Sequence, residues 1–471
     1  MNSNNLKNAK NETRKRKRKV QYISMLGVLI FLFIGGFIWG TNRPDNQREA
    51  NEGGDSAIAS NTNSNNQNDS DNQDDSDNGD EPEEPDDSDE NTIRLQFAGD
   101  VFMHAGPIEV GRTGANTFDF KPFLTHIRPF IDGDFAIANM EVPVDARGNN
   151  QDVAGWPNFN TPFEILEAVQ YAGFNHMITA NNHSFDFGLE GLLNTVNSFE
   201  RAGLDHTGMN VDWNDFNAPT LVDVNGITVG VIAYTDSVNG LEHMVPEASR
   251  SYAVRRFRSH TLDDIDQMST DVANLREAGA ELVVVALHWG AEYGDEPLEM
   301  QRLIARQLID AGVDVIMGKH SHTVHPVEWH YRSDGTRGFI IYSLGNFLAD
   351  QTRLFPDATR PTEVLYRGWN SGANTNFAGR TQFGMLVTLE ATRDEDGQIR
   401  LETADVLPTL TLRDFSGNTL GTVDGVSVMP LINGELPDFV ADEELRNWGQ
   451  VAYEHVVSIV GEEFIRNSAA N

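Results

Sequence analysis

The feature that most constrains the fold is a regular alternation of apolar runs with amphipathic segments between residues 93 and 407. Nine runs have the length and apolar content of buried strands: IRLQFAGD (93–100), DFAIANMEV (134–142), HMITANN (176–182), ITVGVIAYTD (227–236), ELVVVALHW (281–289), DVIMGKH (314–320), GFIIYSL (338–344), GMLVTLEA (384–391) and IRLETADVL (399–407). Four amphipathic segments, 161–173, 189–203, 261–279 and 298–312, each end in a glycine suited to a helix C-cap. This pattern predicts an α/β domain whose helices cover its sheets.

The N-terminal region predicts a membrane anchor. Residues 22–40, YISMLGVLIFLFIGGFIWG, carry no charge and approach the ~20 residues that a helix needs to cross the hydrocarbon core. The basic segment 1–21 contains RKRKRK and favours the cytoplasmic side, which places the C-terminal domain outside the cell membrane. A cleaved signal peptide is the alternative, but the run exceeds a typical signal core and no small-residue cleavage site follows it.

The next segment, residues 41–91, predicts a disordered acidic linker because it consists largely of Asn, Asp, Ser and Glu. The main domain is then expected at 92–412, followed by a C-terminal extension, 413–471, that contains one amphipathic helix pattern. The net charge of −36 argues against nucleic acid as a partner, except where bound cations reverse the local sign. It fits adaptation to salt as well as a functional role.

Cysteine is absent from the chain, which excludes disulfides, thiolate metal sites and a cysteine nucleophile. The sequence also contains no P-loop, no dinucleotide-binding fingerprint and no G-x-S-x-G nucleophile elbow. Any bound metal must therefore be held by His, Asp, Glu or Asn.

Polar side chains that bind metals or transfer protons follow several predicted strands. They are Asp100, Asn139, Glu141, Asn181, Asn182, His183, His288, Glu292, His320 and His322. Because ligands of open α/β sheets collect outside the carboxyl ends of the strands, we expect these side chains to converge. Two divalent cations ~3.5–4 Å apart activate water for a displacement, and a shared carboxylate usually joins them. Glu141 is the candidate for that shared ligand.

Two of the histidines are separated by a single residue, so they cannot lie on one face of a regular strand. We therefore place His320 and His322 on the turn that leaves the strand, where both can point inward. His325 and His330 are assigned to the structure of the strand that follows.

Six motifs resemble those of the CapA/PgsA-type capsule-synthesis proteins, in the same order. They are FAGDV, FAIANMEVPV, TANNHSFDFGLEGL, LHWGAEY, GKHSHTVHPVE and IYSLGNFL. The resemblance runs from about Ile93 to about Leu412 and implies a role in poly-γ-glutamate biosynthesis at the membrane. That family is similar in motif order to the calcineurin-like metallophosphoesterases, which implies a two-sheet α/β sandwich with a two-metal site.

The superfamily resemblance also implies a ligand set. One metal would be held by Asp100, Glu141 and His322, and the other by Glu141, Asn182, His288 and His320, with His183 as proton donor or transition-state partner. The expected cofactors are one or two divalent ions per chain, Mn, Fe or Zn. The chain departs from the phosphoesterase motifs at Phe102, which replaces a histidine, and at Glu141, which replaces an aspartate. Candidate substrate-binding residues are Asn139, Asn181, Trp289, Glu292, Ser343 and Asn346.

Three functions remain open at this point. The first is an anchored metal-dependent hydrolase or transferase that acts on a phosphoester or a γ-glutamyl amide. The second is a non-catalytic subunit that binds poly-γ-glutamate or organises its membrane synthesis and export complex. The third is a nucleotide or lipid phosphatase of the cell envelope.

Overall fold

The computed structural model describes residues 91–294, 296–351, 377–413, 425–440 and 442–466. The predicted basic segment 1–21, the predicted anchor 22–40 and the predicted linker up to residue 90 lie outside the described residues and stay predictions. Among the helices that are described, none has both the length and the apolar composition of a membrane span.

The strands and helices alternate along the chain. The strands are β1 Thr92–Val101, β2 Phe135–Met140, β3 His176–Ile178, β4 Asp205–Thr207, β5 Thr220–Val224, β6 Ile227–Thr235, β7 Leu282–His288, β8 Val315–Lys319, β9 Val327–Tyr331, β10 Arg337–Ile341, β11 Asn346–Leu348, β12 Phe383–Arg393, β13 Ile399–Arg413 and β14 Val426–Pro430. The α-helices are α1 Ala105–Val110, α2 Glu164–Ala172, α3 Gly188–Ala202, α4 Trp213–Asn217, α5 Glu247–Ala253, α6 Ile265–Glu277, α7 Glu299–Asp310, α8 Phe377–Arg380 and α9 Glu443–Val460. Short 3-10 helices occupy Lys121–Leu124, Arg128–Phe130, Leu241–Met244 and Glu462–Phe464.

The strands form two sheets with parallel centres. The larger sheet has the order β14-β13-β12-β1-β2-β3-β4, and a further strand, β11, also pairs with β1. Its strands β1 to β4 are parallel, whereas β12, β13 and β14 are antiparallel. The smaller sheet has the order β5-β6-β7-β8-β10-β9, with parallel pairing from β6 through β10. The carboxyl ends of neighbouring parallel strands therefore lie together in each sheet.

The period-two alternation of side chains builds three core layers. In β2, Ile137 faces the core between the two sheets, whereas Ala138 faces the outer layer, which α2 and α3 cover. In β7, Val284 faces the core between the sheets, whereas Val283 packs against α6 and α7. Both faces of the central strands are thus buried, which explains why their sequences are almost continuously apolar.

All nine predicted strands are present, as β1, β2, β3, β6, β7, β8, β10, β12 and β13, and the two-sheet α/β architecture is confirmed. Gly173 and Gly203 cap α2 and α3 with left-handed φ values of 116° and 62°, as predicted. The strand predicted at 176–182 is wrong in its second half. It ends at Ile178 because the chain turns, with the amide of Ser184 donating to the carbonyl of Asn181. That turn presents polar side chains at the end of β3.

Candidate metal centre

The carboxyl ends of five strands from both sheets meet at one buried site. Asp100 is near the end of β1, Glu141 follows β2, and Asn182 lies on the turn after β3. From the smaller sheet, His288 ends β7 and the segment after β8 supplies His320 and His322. None of these six predicted ligands is more than 7% exposed. The predicted convergence is therefore observed.

Glu141 occupies the centre of the site. Its Oε1 atom lies 3.4 Å from Nε2 of His288 and 3.8 Å from Nε2 of His322. On one side, His288 Nε2 is also 2.9 Å from Oδ1 of Asn182. On the other side, His322 Nδ1 is 3.5 Å from Oδ2 of Asp100. Each side of Glu141 thus combines one residue from the larger sheet with one from the smaller sheet.

Two groups of potential ligands share this carboxylate. Glu141, His288 and His320 form one group, and Asp100, Glu141 and His322 form the other, with the ligand atoms of each group within 4.8 Å of one another. Both oxygens of Glu141 and the Nδ1 atom of His320 are buried without a hydrogen-bond partner among the described residues. Buried polar atoms normally have partners, so this donor set fits divalent cations, for which carboxylate and imidazole are suitable ligands.

An unusual backbone conformation points both histidines of the β8 turn into the site. His320 has φ 98° and His322 has φ 58°, which is the left-handed region that residues other than glycine seldom adopt. The placement of both residues on the turn after the strand, predicted from their spacing, is confirmed. By contrast, His325 hydrogen-bonds to the carbonyl of Gly294 and His330 to Asp310, and neither belongs to the candidate ligand groups of the described residues.

The two carboxylates of the site have opposite pKa shifts. Burial raises the pKa of Glu141 well above its ordinary value, and the charge of Asp100 raises it further. For Asp100, burial also acts upward, but the hydrogen bond and charge of His322 outweigh it and hold the pKa below its ordinary value. The same pair raises the pKa of His322, against the effect of burial. Asp100 and His322 therefore each stabilise the charged form of the other.

The pKa values of the other two candidate histidine ligands are lowered, which favours the neutral imidazole that a metal needs. Burial lowers the pKa of His320 to about 3 and the pKa of His288 well below its ordinary value. Sequence reasoning missed Lys319, a fully buried residue beside these ligands whose Nζ donates to the carbonyl of Ala180 at 2.7 Å. Burial lowers the pKa of Lys319 to about 7, although Asp100 and Glu141 oppose this effect.

His183 belongs to a pair that the sequence reasoning also did not identify. Its Nδ1 lies 2.8 Å from Oδ2 of Asp186, which also accepts the backbone N–H of Phe159 at 2.8 Å. The ring of Phe159 packs edge-on against the ring of His183, with a centroid distance of 4.8 Å. Asp186 therefore holds the imidazole by one nitrogen. The signal for this pair was the three-residue spacing of His and Asp in NNHSFD.

The family of the chain follows from comparison with known proteins. Residues 94–351 match the family described as bacterial capsule synthesis protein PGA_cap. The chain belongs to this family. The matched residues contain all six candidate ligands and His183, and the CapA-type resemblance predicted from the motifs is confirmed.

Two curated CapA proteins are similar to this PGA_cap chain. The capsule biosynthesis protein CapA of Bacillus anthracis is 28% identical over 262 residues, which are 55% of this chain and 60% of that protein. The PGA biosynthesis protein CapA of Bacillus subtilis (strain 168) is 29% identical over 265 residues, which are 56% of this chain and 64% of that protein. The chain thus matches less than two thirds of either relative. Among solved structures, Haemophilus influenzae NAD nucleotidase aligns at a TM-score of 0.36 and 10% identity, covering 81% of this chain and 65% of that one.

The predicted substrate-binding residues of this PGA_cap chain lie in different surroundings. Asn139 and Asn181 are fully buried, and they donate to Asp100 Oδ1 and to the carbonyl of Met140, respectively. Trp289 is also fully buried, in the outer core of the smaller sheet, where its Nε1 donates to the carbonyl of Tyr342. These contacts place the three side chains behind the ligands or in the core.

The remaining three predicted substrate-binding residues differ in exposure. Ser343 is buried, and its hydroxyl is 2.8 Å from the hydroxyl of Ser321, so it supports the turn after β8. Asn346 is buried against His322, with its Oδ1 3.0 Å from Nδ1. Glu292 is exposed. Of the six, Glu292 is therefore the one whose side chain a dissolved molecule can reach without rearrangement.

Phe102, which stands where the phosphoesterase motif has a histidine, contacts one of the candidate ligands. Its ring stacks on the imidazole of His322, with a centroid distance of 5.0 Å and an interplanar angle of 30°. The phenyl ring thus lies beside one candidate ligand but offers no donor atom of its own.

Proposed function

We propose that this capsule-family protein is an anchored, extracytoplasmic, metal-dependent hydrolase of the metallophosphoesterase type that acts in poly-γ-glutamate capsule biosynthesis. The observation that carries the proposal is the position of Glu141 between two groups of buried ligands. Unpartnered carboxylate oxygens in a fully buried site are costly unless a cation compensates them. The capsule pathway enters through the family of the chain and its CapA relatives.

Two cation positions are proposed from the same residues. Asp100, Glu141 and His322 would hold one divalent ion, and Glu141, Asn182, His288 and His320 would hold the other. Such ions lower the pKa of water and neutralise negative charge on a phosphoester or on the oxygen of an amide. The buried His288 and His320 need no deprotonation to serve as ligands, because their pKa values are already low.

His183 is proposed to protonate the leaving group. Because Asp186 binds its Nδ1, Nε2 remains available for the substrate, and the edge-on ring of Phe159 keeps the imidazole in place. General acid catalysis of this kind typically contributes about 10²–10⁴-fold to the rate. The membrane anchor at 22–40 and the linker at 41–91 belong to the proposal, since they would place this site outside the cell near a membrane-bound synthesis complex.

A second function is favoured by the stacking of Phe102 on His322. If the missing imidazole leaves the site too weak for catalysis, the protein would use the same ligands to bind poly-γ-glutamate carboxylates through cations, as a non-catalytic subunit. An envelope phosphatase is a third candidate that shares the site. The binding function predicts that ligand variants lose polymer binding while no turnover is found, whereas both enzymatic functions predict turnover that depends on Glu141.

The first experiment is metal analysis of the purified full-length chain after dialysis, compared with the Glu141→Gln, His320→Ala double variant. A matched control carries the same types of substitution outside the two candidate ligand groups, Glu190→Gln and His330→Ala, at residues that contact Arg147 and Asp310, respectively. We expect bound transition metal in the wild type and the control, and its loss in the site variant. Metal-free wild-type protein, after exposure to Mn²⁺, Fe²⁺ and Zn²⁺, would contradict the metal-dependent function.

A further inference from the structure

We propose that Asn346 is a positioning residue that fixes the tautomer and orientation of His322, and so preserves the metal position at which Phe102 supplies no ligand. This inference rests on the proposed metal-dependent function. Asn346 begins β11, which pairs with β1 so that Asn346 lies opposite Asp100. Its side chain is therefore delivered to the ligand group by the larger sheet itself.

The orientation of the Asn346 amide follows from its hydrogen bonds. Its Nδ2 donates to the carbonyl of Thr381 at 2.7 Å and to Oε1 of Gln351 at 3.2 Å. Both partners are acceptors, so the amide nitrogen must face them and Oδ1 must face His322. The opposite orientation would place the amide oxygen against two other oxygens.

This orientation determines which nitrogen of His322 carries hydrogen. Nδ1 lies 3.0 Å from Oδ1 of Asn346, which is an acceptor in this orientation. Nδ1 must therefore be the donor, which leaves the lone pair of the neutral ring on Nε2, on the side of Glu141. Metal-binding histidines are commonly oriented by donation of their other ring nitrogen to such an acceptor.

Two aromatic rings also pack against the ring of His322. Phe102 stacks on it at 5.0 Å, and Tyr293 packs on it at 5.6 Å, with interplanar angles of 30° and 31°. The hydroxyl of Tyr293 accepts a hydrogen bond from Nε2 of Gln351, the same residue that accepts from Asn346. The contacts thus run from His322 through Asn346, Gln351 and Tyr293 back to the ring of His322.

A further contact anchors this arrangement to the backbone. The N–H of Tyr293 donates to the carbonyl of Ser321 at 2.7 Å, and Tyr293 has a left-handed φ of 62°. A strained backbone at a non-glycine residue persists only where surrounding contacts require it. With one ligand fewer at this metal position, the direction of the His322 lone pair decides whether the remaining donors can converge on a cation.

The test measures the tautomer and the metal affinity of the full-length protein. With ¹⁵N-labelled histidine, the imidazole of His322 in metal-free protein should show protonated Nδ1 and unprotonated Nε2 at a pH where the ring is neutral. In Asn346→Leu, the ring should populate both tautomers. Calorimetric titration with Mn²⁺ should show one binding step that His322→Ala abolishes. Asn346→Leu should weaken that step by about 10–100-fold and leave the other step unchanged.

A matched control is Asn160→Leu. Asn160 is as deeply buried, and it also makes three hydrogen bonds, to Gln151, Asp152 and Ala146, none of which is a candidate ligand. We expect it to lower thermal stability without changing either Mn²⁺ step. An unchanged tautomer in Asn346→Leu, or an equal loss of both steps, overturns the inference. Failure of wild-type protein to bind any of Mn²⁺, Fe²⁺ and Zn²⁺ would instead overturn the proposed function, while the tautomer still decides the role of Asn346.

Discussion

Oε1 of Glu141 lies 3.4 Å from Nε2 of His288, and this contact joins the end of β2 in the larger sheet to the end of β7 in the smaller sheet. Because Glu141 belongs to both ligand groups, Glu141→Gln should weaken Mn²⁺ binding at both positions, by more than the about 10–100-fold typical of residues around the ligands. Calorimetric titration measures this loss. The control Glu190→Gln, which changes an exposed carboxylate paired with Arg147, should bind Mn²⁺ like the wild type.

β1 passes so close to the turn before β11 that a side-chain atom added at this point should destabilise the fold. A Cβ atom on Gly99 would overlap the carbonyl oxygen of Gly345, and that backbone cannot move without displacing Asp100 or Asn346. We expect Gly99→Ala to lower the free energy of unfolding by about 1–3 kcal/mol, measured by urea denaturation. Gly294→Ala is the control, since its added Cβ would have no neighbour closer than 3.6 Å in the part of the chain that the structure describes. Equal stability of the two variants would show that the close approach is not required.

The central strands were predictable from sequence for a physical reason. Each buries side chains on both faces, so runs such as LVVVALH in β7 are apolar throughout and stand out from their surroundings. The strands β4, β5, β9 and β11 are three to five residues long, and all but β11 are largely half-buried or exposed. Of these, β5 and β9 pair with the strands that follow them, β6 and β10, whereas β4 and β11 pair with the more distant β3 and β1. None of the four is long enough to give a clear strand pattern of its own.

The candidate ligands were predictable because they follow those central strands, and strand ends in parallel sheets meet. The partners of the ligands were not. The contact of Asn346 with His322 depends on the pairing of β11 with β1, and the burial of Lys319 depends on the packing of the two sheets. Each is a tertiary relationship that leaves no periodic signal in its own segment.

The stabilisation of the protein by bound metal should increase with pH. The folded-state pKa values of Glu141 and His322 are both raised, so each group contributes stability to the metal-free fold at low pH that is lost as pH rises through its folded pKa. Metal binding requires the deprotonated forms, so each displaced proton changes the apparent affinity by up to about tenfold per pH unit. The depressed pKa of Asp100 acts only at more acidic pH.

Differential scanning fluorimetry between about pH 5 and pH 8, with and without Mn²⁺, checks this prediction. As pH rises, the melting temperature of the metal-free protein should fall, or rise less than that of the Mn²⁺-bound protein. The increase in melting temperature caused by Mn²⁺ should therefore grow. Glu141→Gln should show a smaller and flatter increment. An increment that is constant across this range would mean that ligand deprotonation is not coupled to binding.

The pairing of His183 with Asp186 predicts an effect that depends on the leaving group. If His183 protonates the leaving oxygen, His183→Asn should slow hydrolysis of phenyl phosphate by about 10²–10⁴-fold but slow p-nitrophenyl phosphate much less, because nitrophenolate leaves without a proton. Asp186→Asn should show the same selectivity with a smaller loss, since it disturbs the contacts of Asp186 with Nδ1 and with the backbone N–H of Phe159 but keeps the imidazole. Both variants should keep wild-type Mn²⁺ content, which separates the proton transfer from the ligands. Equal slowing of the two esters would assign His183 to transition-state charge stabilisation instead of proton donation.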